Sequence, residues 1–308
     1  MGRLLSDILR AAHIGASALL VAACAREQGA PERARSAIVA VDDLGDTLRL
    51  VAPAARVVSL VPAVTDVLLA LDAGAQIVGR TRYDVDPRTA ALPDVGGGLD
   101  PNIEAIVGLR PDLVITWAND KRQETAMALR RAGVAAFAIA QRDTADVYRT
   151  LRTVATLMGR ERTGVALADS LRAVLQTVAS SVAGRPRPRV FYIVGNDPPM
   201  TAGPRTFIGQ LIDVAGGQNV FADSKDDWPT VSMEAILARA PDMVVLPKGE
   251  MSEADQRLRA QPGWRDLAAV REGRVVTIDA NLANRPGPGM AEAARRLRDL
   301  LHPSVATP

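Results

Sequence analysis

The sequence predicts an α/β protein of two doubly wound lobes, each built on a central, mostly parallel sheet, with a long α-helix bridging them. Three observations carry this expectation. A fourteen-residue stretch occurs twice: "NIEAIVGLRPDLVI" at 102–115 returns as "SMEAILARAPDMVV" at 232–245, with six aligned positions identical. Apolar runs without alternation, "RVVSLV" at 56–61 and "RVFYIV" at 189–194, suit strands buried on both faces, as in parallel sheets. Between the two strand-bearing parts, residues 144–183 carry apolar side chains at helical spacing instead. A chain of 308 residues suffices for about two domains of ordinary size, each with its own core.

At the N-terminus, residues 1–24 read as an export signal. Arg3 and Arg10 precede an apolar stretch, Ala11 to Ala23, that is too short to span a bilayer. Val21, Ala22, Ala23 and Cys24 resemble a bacterial lipobox, which makes Cys24 the expected lipidated residue and a membrane lipid anchor the expected tether. The alternative is an ordinary N-terminus with a buried cysteine. Cys24 is the sole cysteine, so no disulfide within the chain is possible.

Residues 25–54 divide into a polar tether, "AREQGAPERARSA", and a hairpin around Asp-Leu-Gly-Asp. The N-terminal lobe is expected over 55–142. It starts at "RVVSLV", continues through a helix opened by Pro62 and Thr65 and the strand "AQIVGR", and reaches a loop, Thr81 to Leu99, that holds Tyr83 and the triplet Gly96, Gly97, Gly98. The first repeat copy, a helix near 120–131 and the strand "VAAFAI" complete it.

The helical region, 143–184, should break at Gly159 and Arg160, leaving Glu161 to Val182 as a linking helix about 33 Å long. The C-terminal lobe, 185–308, runs from "RVFYIV" through a helix at 206–214, the second repeat copy and "RVVTI" to a final helix near 289–301.

Each repeat copy reads as helix, tight turn, buried strand. Asn102 or Ser232 caps the helix, Glu104 or Glu234 sits in its first turn where a carboxylate favours the dipole, and Pro111 or Pro241 ends it. A separation this long indicates two similar lobes and not a solenoid.

Composition narrows the function classes. A formal charge of +2, arginines interspersed with acids and only 3% aromatic residues argue against a nucleic-acid surface. A zinc or manganese site would need a cluster of histidines and carboxylates, and the two histidines, His13 in the expected signal and His302 near the C-terminus, do not supply one. "VGGGLD" is not a dinucleotide fingerprint, and no nucleophile elbow, phosphate loop or Cys-His or Ser-His pairing is present, so no enzyme is expected.

Ligands of open α/β sheets sit beyond the carboxyl ends of the strands. Trp117 directly follows "DLVIT", and Trp228 precedes the helix of the second copy. Both could present ring faces to a flat guest. Trp264, in "QPGWRDL", reads instead as a core cap. Asn281 and Arg285 follow "RVVTI" and could hydrogen-bond the rim of a ligand, although a surface salt bridge is an alternative role for Arg285.

"RVVSLVPAVTDVLLAL", "DPNIEAIVGLRPDLVITW" and "FADSKDDWPTVSMEAILARAPDMVVL" resemble the substrate-binding proteins of bacterial ABC importers, in the cluster that takes up cobalamin, haem and ferric siderophores. Similarity spans roughly residues 55–300 and looks nearest to the vitamin B12-binding proteins. The resemblance implies a monomeric, extracytoplasmic binding protein that captures a corrinoid between two lobes and delivers it to an ABC permease dimer in the cytoplasmic membrane.

It also implies that Pro62, Tyr83, Trp117, Met200, Trp228, Asn281 and Arg285 line the cleft. Glu104 and Glu234 would dock into arginine pockets of the permease; simple dipole complementation is the alternative. Met200, Asn281 and the glycine triplet depart from the residues that B12 binders usually carry there. Haem and ferric siderophores therefore stay open: Tyr83 or Met200 could ligate haem iron, and Arg80, Arg82, Arg205 and Arg285 could meet an anionic siderophore.

Overall fold

A computed structural model describes residues 37–118, 123–248 and 261–303. The expected signal, Cys24 and most of the tether lie outside them.

Strands β1 (Ile38–Val41) and β2 (Thr47–Leu50) form the expected antiparallel hairpin. Its turn is organised by Asp42, whose carboxylate accepts the backbone N–H groups of Leu44 and Asp46 at 3.0 and 2.8 Å. The same carboxylate accepts the Ala138 N–H at 3.2 Å, which fastens the hairpin to the edge of the neighbouring sheet.

That sheet is parallel and ordered β4 (Ile77–Gly79), β3 (Val57–Ser59), β5 (Leu113–Trp117), β6 (Ala136–Ile139). A second parallel sheet is ordered β10 (Gln218–Asn219), β7 (Arg189–Tyr192), β11 (Met243–Lys248), β12 (Val275–Asp279). The two orders are one topology: in each sheet the lobe's first strand sits between the second and third, and the fourth lies at the edge. A small antiparallel hairpin, β8 (Gly195–Asn196) and β9 (Pro199–Met200), is added to the second lobe. Strands β5 and β6 are buried almost throughout, as uninterrupted apolar runs require.

The helices are α1 (Pro62–Ala70), α2 (Ile103–Gly108), α3 (Gln123–Arg131), α4 (Thr144–Leu157) and α5 (Glu161–Ser181) in the first half of the chain. The second half adds α6 (Phe207–Val214), α7 (Met233–Arg239), α8 (Ala268–Arg271), α9 (Ala280–Ala283) and α10 (Met290–Leu301). Helix α4 stops at Gly159, whose φ of 66° is the left-handed conformation that glycine supplies without penalty. Helix α5, 21 residues and so about 32 Å long, is the bridging element.

It buries Gly164, Ala168, Leu171, Leu175 and Val178 along one stripe. At Gly164 the two helices all but touch: a Cβ there would stand 2.2 Å from Ala155 Cβ and 3.0 Å from the Leu151 carbonyl oxygen.

The core differs from the expected pair of separate interiors. One large cluster includes Leu68, Ile115 and Leu151 from the first lobe, Leu171 and Leu175 from α5, and Tyr192, Leu211 and Leu297 from the second. Each sheet turns its other face to a smaller cluster of its own, around Ile106 and Leu129 in one lobe and around Phe191 and Trp264 in the other. The helices between the sheets thus give both lobes a shared interior.

Direct bonds add to this. Phe207 N–H donates to the Arg142 carbonyl at 2.9 Å, the Thr144 hydroxyl donates to Gln210 Oε1 at 2.7 Å, and Gln141 Nε2 donates to the Pro286 carbonyl at 2.8 Å.

Candidate ligand-binding site

The carboxyl ends of the strands collect the residues singled out in the sequence. Pro62 is the first residue of α1 just beyond β3, Tyr83 follows β4 and Trp117 ends β5. In the second lobe Met200 follows β7 in the β8–β9 hairpin, and Asn281 and Arg285 follow β12.

Tyr83 stands on a turn built by Asp84. The Asp84 carboxylate accepts the Thr81 N–H at 2.6 Å and the Thr81 hydroxyl at 2.8 Å, and the Tyr83 N–H donates to that hydroxyl oxygen at 3.2 Å. With its backbone held, the Tyr83 side chain remains 50% exposed.

The glycine triplet packs directly against this group. A Cβ at Gly97 would lie 3.2 Å from the Tyr83 ring, and one at Gly98 would lie 2.2 Å from the Leu60 carbonyl oxygen and 3.0 Å from Trp117 Nε1. Glycine at 98 is therefore required by a backbone approach, which explains why no aromatic residue stands there. Val85 and Leu99, neither apparent from the sequence, add exposed apolar side chains on either side of this loop.

In the second lobe, backbone bonds bring Met200 and Trp228 into one patch. Thr201 N–H donates to the Pro229 carbonyl at 3.1 Å, Val231 N–H donates to the Pro199 carbonyl at 2.8 Å, and Met200 bridges to Thr230. The Trp228 ring meets Phe207 edge-on with 6.3 Å between centroids, yet Trp228 is 40% exposed. Trp264 is a core residue, 2% exposed and 5.8 Å from the Phe191 ring.

Arg285 crosses from one lobe to the other. Its guanidinium donates to the Tyr83 carbonyl and, at 3.0 Å, to Asn281 Oδ1, and its other terminal nitrogen lies 3.6 Å from Asp66 on α1. The salt bridge that was the alternative role for Arg285 is thus present, and it joins the two lobes. Burial raises the Asp66 carboxyl above its ordinary value, and the Arg285 charge opposes the rise. Asp66 had a signal in the sequence, as the lone charge in "PAVTDVLLA".

The other arginines of this region are paired as well: Arg80 with Asp94 at 3.9 Å, Arg82 with Asp100 at 3.1 Å, and Arg205 with Asp227 at 2.8 Å.

Glu104 and Glu234 occupy matching places. Each is exposed in the first turn of a helix whose cap, Asn102 or Ser232, accepts the N–H of Ala105 or Ala235 at 3.0 or 3.2 Å. Backbone and Ser232 hydroxyl hydrogen bonds hold the Glu234 carboxyl below its ordinary value. A helix leading into a parallel strand begins at the carboxyl-end side, so both carboxylates emerge on the side that carries Tyr83 and Trp228.

A cavity of about 850 Å³ lies elsewhere, between α4, α5 and the second lobe, lined by Tyr148, Arg172, Gln176, Gln210 and Asp213 among others. It shares no residue with the carboxyl-end group. His302 is also remote, buried beside Gly216 and Val182. Among the described residues no group of three or more His, Cys, Asp or Glu side chains is arranged to hold a metal ion, and no helix is long and apolar enough to cross a membrane.

Residues 57–282 match the family model described as periplasmic binding protein. The chain belongs to that family. A cobalamin-binding protein of Halobacterium salinarum is 32% identical over 258 residues, covering 80% of this chain and 69% of that protein.

Among solved structures, the periplasmic vitamin B12-binding protein BtuF of Vibrio cholerae matches with a TM-score of 0.69 and 26% identity, over 83% of this chain and 99% of that one. The periplasmic heme-binding protein RhuT of Roseiflexus matches with a TM-score of 0.73 and 26% identity, over 81% of this chain and 98% of that one. Proteins of this family are transport components that bind small ligands and work with ABC permeases, and this chain is the substrate-binding protein of such an importer.

Proposed function

We propose that the importer's cargo is a corrinoid of the vitamin B12 class, held between the lobes by Tyr83, Trp117, Met200 and Trp228, with Pro62, Asn281 and Arg285 at its rim. The observation that supports this most directly is electrostatic. The lobes offer exposed aromatic surface at Tyr83 and Trp228, while Arg80, Arg82, Arg205 and Arg285 each already have an aspartate partner. A ferric siderophore with several negative charges would call for uncompensated cations; a corrinoid edged with neutral amides would not. Its amides can exchange hydrogen bonds with Asn281 and Arg285, and the Met200 thioether can cover an apolar part of the ring.

In the same reading Glu104 and Glu234 engage arginine pockets on a dimeric permease, and Cys24 carries a lipid that keeps the monomeric protein at the membrane. Residues 55–142 and 185–308 act as the two lobes and 143–184 as their link. The shared core keeps lobe motions small, which limits the ordering cost of capture.

Equilibrium titration of the purified protein with cyanocobalamin, haem and a ferric tris-catecholate tests the cargo. The corrinoid should bind at least about tenfold more tightly than either rival, a difference of about 1.4 kcal/mol. Tighter binding of haem would move the assignment to the heme-binding relatives, with Tyr83 or Met200 as the candidate axial ligand.

A further inference from the structure

Asp66 has no assigned role, yet it is the acid that meets Arg285. It is the one charged residue of α1, a helix otherwise packed into the core through Val64, Val67, Leu68 and Leu69. A carboxylate on such a helix loses solvation, and nothing in the packing of α1 itself needs it. Its side chain remains 34% exposed, while that of Arg285 is 14% exposed, so the pair is partly shielded from water and its charges act on one another over little solvent. The second terminal nitrogen of Arg285 is engaged by the Tyr83 carbonyl and by Asn281 Oδ1. The guanidinium is thus oriented by neutral oxygens and neutralised by Asp66.

We propose that Asp66 is a specificity-determining residue that cancels the charge of Arg285 and so disfavours anionic ligands relative to neutral ones of the same shape. The inference rests on the reading of Arg285 and Tyr83 as ligand-site residues. Its logic is exclusion: an anion approaching Arg285 must either share it with Asp66 at close range or displace a partly buried carboxylate, whereas a neutral amide need only accept a hydrogen bond from the guanidinium. The Asp84 charge also acts on Asp66, whereas Asp86 is itself paired with the Arg88 guanidinium.

Matched ligand pairs isolate this effect. Cyanocobalamin can be compared with its monocarboxylic acid derivative, and haem dimethyl ester with haem, so that charge changes while the ring does not. The wild-type protein should favour the neutral member of whichever pair it binds. Asp66→Asn should shift that preference about tenfold toward the anionic member at low salt, and Asp66→Glu should retain the wild-type ratio. The gain should vanish in the Asp66→Asn, Arg285→Gln double variant.

An unchanged neutral-to-anion ratio in folded Asp66→Asn, or a gain that survives loss of Arg285, would overturn the role of Asp66. Failure of the cobalamin pair with binding of the haem pair would overturn the corrinoid reading and leave the Asp66 comparison readable. Binding of neither pair would overturn the reading of Arg285 and Tyr83 as ligand-site residues, and with it the role of Asp66.

Discussion

Arg110 and Ala240, in corresponding positions of the two repeat copies, share a left-handed backbone with φ of 49° and 41°. Each closes its helix immediately before the Pro-Asp pair that enters a buried strand. The neighbouring bonds correspond too: the Asp112 carboxylate accepts the Arg56 N–H at 2.9 Å, the Asp242 carboxylate accepts the Arg189 N–H at 2.8 Å, and both arginines donate to the carbonyls that end the preceding helix. Residues without Gly-like freedom are strained in this region by about 1–2 kcal/mol, part of which glycine returns to the unfolded chain as entropy. Arg110→Gly and Ala240→Gly should therefore each stabilise the fold by about 0.5–1 kcal/mol, seen as a rise of roughly 1–4 °C in Tm. A fall in Tm for both would show that the strain is absent.

The repeat was legible because its signals are local. Caps at Asn102 and Ser232 and the apolar runs at 113–117 and 243–247 are written in adjacent letters, and the two sheets share the topology that those letters suggest. The helix stop was misread in part: Pro111 and Pro241 mark it, but the turn is made one residue earlier by a left-handed Arg or Ala that no composition rule singles out. Contacts between distant positions were illegible. Arg285 meets Tyr83 across 202 positions, and the close approach of Gly98 to the Leu60 carbonyl depends on where two loops end. The shared core escaped notice because hydrophobic periodicity shows which face is buried and says nothing of what buries it.

Gly98 gives a second expectation. A methyl group there would meet the Leu60 carbonyl oxygen at 2.2 Å, and backbone cannot swing aside as a side chain can. Gly98→Ala should cost about 1–3 kcal/mol of stability and displace the loop that carries Leu99 against Trp117. Gly108→Ala, in a helix and facing open space, is the control and should be neutral or stabilising. Denaturant midpoints of the two variants check the contrast, and equal midpoints would contradict the close approach.

The paired carboxylates predict a separation of functions. Glu104 and Glu234 are exposed and have no bond to the residues around Tyr83 or Trp228 among those described. The Glu104→Ala, Glu234→Ala double variant should keep ligand affinity within about twofold, because exposed acids that do not touch the ligand contribute little. Stimulation of the reconstituted permease ATPase should fall by at least about tenfold. Loss of affinity in parallel with stimulation would place these residues at the ligand instead.

The turn beyond Tyr83 predicts a pH effect. Asp86 receives hydrogen bonds from the Arg88 side chain at 2.8 and 3.0 Å and from its backbone N–H at 2.9 Å, and these hold its carboxyl down at about 2, against an ordinary value of 3.8. Because the folded value is depressed, the contribution to stability is complete above about pH 4 and disappears as pH falls through about 2. Carbon NMR titration of the Asp86 carboxyl should show the depressed midpoint, and Arg88→Ala should return it toward 3.8. A midpoint near 3.8 in the unmodified protein would remove Arg88 as the organiser of this turn.

The three tryptophans predict a spectroscopic division. Trp264 is sealed in the second lobe beside Phe191, Trp117 ends a buried strand with its indole nitrogen against Gly98, and Trp228 projects beyond Phe207 into solvent. In variants that keep one tryptophan and carry phenylalanine at the other two positions, acrylamide should quench Trp228 most and Trp264 least. Bound corrinoid, a strong absorber, should quench all three to some degree by energy transfer, so protection is the more discriminating readout. Saturating ligand should reduce acrylamide access to Trp228 by at least about threefold, because stacking on an aromatic face excludes the quencher. Trp264 should show no change in access. If Trp228 stays equally open in the saturated protein, the ligand is bound away from the carboxyl ends of the second sheet, and the cavity beside Tyr148 and Arg172 becomes the place to look for it.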